Sequence, residues 1–173
     1  MNIALGIRDE VYLRIATKQT AGNFYFANDF ILEKTWRPWE TLENLFDPTK
    51  YPSGKVYVIG GRPGDMLTQS RDNVCLRDYP VQIGFQHPIS KIDDDTEIDT
   101  YAAFVEELEE TCRIEVDTAL LQVSFSRIEP MRDPNGIPMS YIMMRDANVF
   151  EAYFTVFYTR VLGNFNEATT TTT

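Results

Sequence analysis

Apolar positions along the chain change period several times, and each change marks an element. Ile3, Ala4, Ile7, Val11 and Ile15 recur at helical spacing and predict a helix over residues 2–16. Gly6 costs that helix about 1 kcal/mol in propensity. Leu5 and Tyr12 fall on another side of it. Two apolar sides call for two packing partners, and one of them need not belong to the same chain. "TAGNFYFANDF" then breaks the period, with Gly22 and Asn23 as turn residues.

Phe30–Trp36 reads as a strand that Pro38 stops. Leu42 and Leu45 support a helical turn at most. Pro48, Pro52 and Gly54 form a linker into a second strand, Lys55–Ile59. Gly60–Asn73 is polar and glycine-rich, and reads as a long loop or an extended hairpin arm projecting from the body. In Tyr79–Gln86 the residues Val81, Ile83 and Phe85 alternate as in a strand, and His87-Pro88 ends it.

Residues 96–112 carry the clearest helical stripe: Ile98, Tyr101, Ala102, Val105, Leu108 and Cys112. Asp95 or Thr96 caps its start, and the early carboxylates suit the positive end of the helix. Asp99, Glu106, Glu107 and Glu110 cluster on the opposite side. Three more strands are predicted at Gln122–Glu129, Ser140–Arg145 and Asn148–Val161, with "RDPNGIP" turning between the first two. This order of helix, strands, acidic helix and strands predicts an α+β fold with a largely antiparallel sheet. An N-terminal helix and one acidic amphipathic helix pack on that sheet. A single domain over residues 1–165 and a disordered threonine-rich tail over 166–173 are expected.

Charge sharpens the picture. The chain of 173 residues carries a formal net charge of −10. Between Asp93 and Asp117 there are eleven acidic residues and one basic one, Arg113, while the remainder balances at fifteen of each. The protein is a neutral body with one acidic block. A sequence-independent grip on DNA needs the reverse. No basic segment followed by an apolar one suggests a signal peptide. No apolar run approaches the roughly 20 residues of a membrane helix. With two cysteines, Cys75 and Cys112, and no secretory signal, free structural thiols are expected.

Candidate chemistry is sparse. "GGRPGD" lacks the Gly-Lys-Ser/Thr end of a phosphate loop. "DDDTEID" lacks the glycine and terminal glutamate of a calcium loop, so no metal site is assigned. No cofactor is assigned either. His87 stands at a strand end without a supporting signature. Cys112 belongs to an apolar stripe, which leaves Cys75, read as a loop residue, as the candidate nucleophile of a hydrolase. Trp36 and Trp39 flank Pro38, either as interface anchors on an exposed loop or as a cap on one end of the core. A binding module gripping a protein partner through that loop is a further alternative.

The closing strand poses the main question. "NVFEAYFTVFYTRV" is about 45 Å long when extended. Phe150, Ala152, Phe154, Val156 and Tyr158 share one face. Glu151, Tyr153, Thr155, Phe157 and Thr159 share the other. Two helices cover one face, so a neighbouring subunit is expected over the other, the alternative being a bent strand that crosses two sheets of a monomer. The expected subunit interface comprises Leu5, Tyr12, Trp36, Trp39, the arm residues Arg62, Met66 and Leu67, and Tyr153 and Phe157.

The order of elements resembles the tail terminator, or tail completion, proteins of long-tailed bacteriophages and related neck components. The resemblance rests on an N-terminal helix, "TWRPWETLENL", the short strand "KVYVIG", a polar arm, "YPVQIGFQ", an acidic-capped helix and "VFEAYFTVFYTRV". It covers residues 3–162 as a pattern of elements without a signature motif, and brings no catalytic or cofactor residues. It implies a structural virion protein, made in the bacterial cytoplasm, that forms a ring, generally six-fold. Such a ring caps the tail tube, joins it to head-side neck proteins and lets DNA pass without specific binding. An acidic wall would repel that DNA. The resemblance leaves open another neck or head-completion role, and whether the acidic helix faces the lumen or the outside.

Overall fold

The computed structural model describes residues 3–26, 28–42, 45–64, 66–69, 74–90, 95–113, 123–130 and 146–164. The predicted strand Ser140–Arg145, the "RDPNGIP" turn and the threonine tail lie outside the described residues. The elements are α1 (Ile3–Thr20), β1 (Ile31–Thr35), α2 (Trp39–Leu42), β2 (Lys55–Gly60) and β3 (Met66–Gln69), followed by β4 (Val74–Pro88), α3 (Asp95–Cys112), β5 (Val123–Pro130) and β6 (Val149–Asn164). The fold is α+β. The sheet runs β1-β2-β4-β6-β5, with β3 also paired to β4. β1 and β2 are parallel, and every other described pair is antiparallel.

α1 runs four residues beyond the predicted helix. It ends where Gly22 adopts φ +67°. The Gly22 amide then bonds the Gln19 carbonyl and the Asn23 amide the Lys18 carbonyl, a Schellman closure that only a residue tolerant of the left-handed region completes without strain. Ile7, Val11 and Ile15 are fully buried, as the stripe predicts, and Arg8 is buried beside them.

α3 buries Tyr101, Phe104, Leu108 and Cys112. Phe104 is absent from the predicted stripe yet central to the packing. Its ring meets Phe24, Phe26, Phe30 and Phe85 at centroid distances of 4.7–5.4 Å. At the helix start, the Glu97 carboxylate accepts from the Ser90 amide (3.0 Å) and hydroxyl (2.7 Å). Those bonds tie α3 to the end of β4.

Register explains the two faces of the sheet. Val56 pairs with Phe85 and Phe85 with Ala152; Val58 pairs with Ile83 and Ile83 with Phe154; Val81 pairs with Val156 and Tyr79 with Tyr158. These rows form one apolar face, which α1 and α3 cover to make the main core. Between Phe125 and Arg127 the β5–β6 register shifts. This β-bulge puts Phe125 and Ile128 on the same core-facing side, although they stand three residues apart.

The other face has its own cover. Trp39 and Leu42 of α2 pack with Tyr57, Ile59 and Tyr153 in a second apolar cluster. A Cβ at Gly84 would lie 1.8 Å from the Trp39 ring, so the missing side chain is what lets the indole lie on the sheet. Tyr153 was expected under a neighbouring subunit. In the structure Tyr153 is half-buried, with Trp39 of this chain's own α2 packed against it.

Candidate functional site

The residues expected at a subunit interface differ in their exposure. Trp39 is 1% exposed and is not a surface anchor. Its ring lies 4.9 Å from Tyr153 and 5.7 Å from Tyr57. It caps the core, the alternative its flanking proline left open. Phe157 is half-buried beneath the Arg127 guanidinium, 3.8 Å above its ring. Tyr12 is half-buried against the main core, with Lys34 Nζ 5.2 Å from its ring. Leu5 is exposed. Trp36 is 48% exposed, seated on Gly60 with the Arg8 guanidinium 4.8 Å away. Arg62 is exposed beyond β2. Met66 and Leu67 lie in β3, opposite Arg77 and Leu76.

Several polar groups lock the second face. Lys55 is buried, with Nζ 2.6 Å from Glu33 and 4.5–4.8 Å from the rings of Tyr51 and Tyr57. Burial, then the Glu33 charge, pushes the Tyr57 hydroxyl well above the usual phenol range. One strand further, Gln86 Nε2 donates to Glu151 at 2.6 Å. Arg127 bridges strands by pairing with Asp78 and Glu129, each at 2.7 Å. Burial alone would raise Asp78, but hydrogen bonds from Arg127 and Thr159 outweigh it and hold the carboxyl below its ordinary value.

Cys75, Cys112 and His87 all fall within regular elements. Cys75 is a β4 residue, opposite Thr68, rather than a loop residue, because β4 begins five residues before the predicted strand. Cys112 is free and buried, and burial pushes its thiol far above the range in which a thiolate forms. The His87 ring packs 4.4 Å from Tyr101 and 5.6 Å from Phe26. Its desolvation there lowers its pKa against the pull of the Pro88 carbonyl, Glu97 and Asp29. Among the described residues, no group of three His, Cys, Asp or Glu side chains stands where it could hold a metal. No described helix is long and apolar enough to cross a membrane.

The acidic side of α3 is divided. Asp99, Glu106 and Glu110 are exposed. Glu107 is not on that solvated side. It pairs with Lys18 at 2.7 Å and accepts the Tyr25 amide at 3.1 Å, pinning α3 to α1. Burial, aided by Glu106, raises Glu109 against the pull of Arg113. Grouping Glu107 with the other three by helical spacing could not anticipate Lys18, which the fold brings from 89 positions away in sequence to meet it.

β4 and β6 also stay paired well past the buried Tyr79 and Tyr158. β4 and β6 pair from Pro88↔Val149 to Val74↔Asn164, and β3 joins the far end. On β4 and β6 the core rows end at Tyr79 and Tyr158, and β5 carries the core one row further with Val123, opposite Arg160. Beyond them Leu76 and Arg77 are half-buried and Val161 is 62% exposed. Part of the Gly60–Asn73 arm is therefore a hairpin strand laid against β4. Gly61 and Gly64 continue that contact by donating to the Pro80 and Asp78 carbonyls. The segment Val74–Asp78 gave little sign of this in sequence, because charged and apolar residues mix there without a sustained alternation. Neither a protein-family model nor a curated protein sequence matches the chain.

Proposed function

We propose that this chain is a structural subunit of a bacteriophage particle. Copies of it form a ring, six-fold by resemblance, that terminates the tail tube, joins it to head-side neck proteins and passes DNA through its opening. The observation that carries the proposal is the β3-β4-β6 extension, in which β4 and β6 stay paired past the buried Tyr79 and Tyr158 and β3 pairs with the same end of β4. A sheet that continues beyond its core, with Val161 left exposed on it, suits contact with an adjacent copy. The order of elements along the chain supports the same reading.

In this role the chain carries out no reaction. It is made in the bacterial cytoplasm and ends in the virion. The acidic α3 residues Asp99, Glu106 and Glu110 would keep a neighbouring DNA surface from adhering. Electron microscopy of the purified protein, with light scattering for mass, tests the proposal. Closed rings with a central opening are expected. A monomer at the highest attainable concentration, alone and with tail tube protein, would overturn it.

A further inference from the structure

After α1 the chain turns so that Tyr25 is 97% exposed, while its amide is held by Glu107 of α3. Beside it lies a groove of about 400 Å³ lined by Tyr25, Phe26, Thr100, Ala103, Phe104 and Glu107. Ala103 is exposed, and its small side chain leaves the groove open. Asp99 and Glu106 stand about one turn to either side of Ala103 on the same exposed ridge of α3. Neither carboxylate pairs with a described cation. An open aromatic face flanked by carboxylates suits a guanidinium, which takes both kinds of contact at once.

The chain carries a complementary corner. Trp36 is half exposed and Arg37 is exposed just past β1. The Arg37 guanidinium forms no ion pair with a described residue. This corner cannot reach the groove of its own chain. Phe30, at the start of β1, packs on Phe104 of α3, and the Phe30 carbonyl accepts from Gln19 near the end of α1. Trp36 lies past the other end of β1, beside Arg8 near the start of α1. The length of β1, roughly 17 Å, separates them. Two complementary surfaces at different ends of one subunit make a head-to-tail contact, the kind that closes into rings.

We infer that the Tyr25–Ala103 groove receives the Trp36–Arg37 corner of a second copy of this chain. Arg37 enters between the Tyr25 ring and the carboxylates of Asp99 and Glu106, and the Trp36 indole covers Ala103. This inference deepens the ring proposal and rests on it.

The test is the mass and appearance of assemblies across a dilution series, by light scattering and electron microscopy. The samples are the wild type, Arg37→Glu, Glu106→Lys, the double variant combining these two, and Tyr25→Ala. Circular dichroism confirms that each is folded. Each single charge reversal should raise the concentration needed for assembly by about tenfold or more, as for close interfacial charge pairs. The double variant should recover most of that loss. Tyr25→Ala, which leaves every charge in place, should also weaken assembly. Rings that form equally well in all variants would overturn this contact and leave the ring proposal standing. Charge effects without rescue, or without an effect of Tyr25→Ala, would show diffuse electrostatics and overturn the groove. A wild type that forms no rings would overturn both.

Discussion

Removing Trp39 tests whether the second face of β6 is covered from within the subunit. The indole is 1% exposed and lies on Gly84, Tyr57 and Tyr153. Trp39→Ala should cost about 3–5 kcal/mol, the range for emptying a buried aromatic site. Gly84→Ala acts on the same contact from below. Its new Cβ would stand 1.8 Å from the ring atom Cζ3, and the rigid indole cannot absorb that by a small rotation. It must lift from the sheet, at a cost of about 1–3 kcal/mol for overpacking. Without the indole there is nothing to displace, so Gly84→Ala added to Trp39→Ala should be close to neutral. The cycle should return a coupling nearly as large as the cost of Gly84→Ala alone. Urea unfolding followed by circular dichroism measures all four proteins, at a concentration below any assembly threshold. If Gly84→Ala costs the same in both backgrounds, the indole does not rest on Gly84. If Trp39→Ala is harmless to the fold, α2 is no part of the core, and Tyr153 again becomes a candidate for cover by a neighbour.

Three other outcomes follow from the same geometry. His87 has a folded pKa lowered below 6.5 by burial, so the unfolded chain binds the extra proton as pH drops below about 6.5. Stability should fall there and level off below the folded pKa; urea midpoints at pH 7.5 and 5.5 should differ less in His87→Gln. Asp78 is held below its ordinary value by Arg127 and Thr159. Its contribution is present above about pH 4 and lost as pH falls through its folded pKa. Asp78→Asn should cost about 1–2 kcal/mol at pH 7 and less at pH 3, read by urea unfolding. With a net charge of −10, the protein should not shift duplex DNA in a gel at physiological salt; micromolar binding would refute this.

The parts of the fold legible in sequence are those whose burial has a period. The Ile7, Val11 and Ile15 stripe and the Val81, Ile83 and Phe85 alternation lie against the core as predicted. Boundaries were less legible where a local device decides them. α1 passes residue 16 because its end is set by the Gly22 closure, not by its last apolar residue. β5 breaks strict alternation through a bulge that no residue type announces. β4 reaches back to Val74 because β3 and β6 both hydrogen-bond to it there, a tertiary cause invisible to a short window.

The candidate site was less legible than the fold, for a physical reason. Aromatic residues on both faces of a strand show that both need cover, but not where the cover comes from. Here "RPWETL" supplies part of it within the chain: the indole of Trp39 occupies the space that Gly84 leaves on β4 and packs at a tilt against Tyr153 one strand further. That removes half of the original argument for a neighbouring subunit and moves its weight along the same strand. At residues 149–158 the strand is buried on the helical side by its own chain. From Thr159 onward it pairs with the far end of β4, which β3 flanks, and through Thr159 and Arg160 with Ser124 and Val123 of β5, and Val161 is exposed. The core itself reaches one row past Tyr158, to Val123 of β5 opposite Arg160. Beyond that row β6 continues to Asn164, opposite Leu76 and Val74 of β4, with Val161 exposed, and this is the stretch of the closing strand on which the case for assembly now rests.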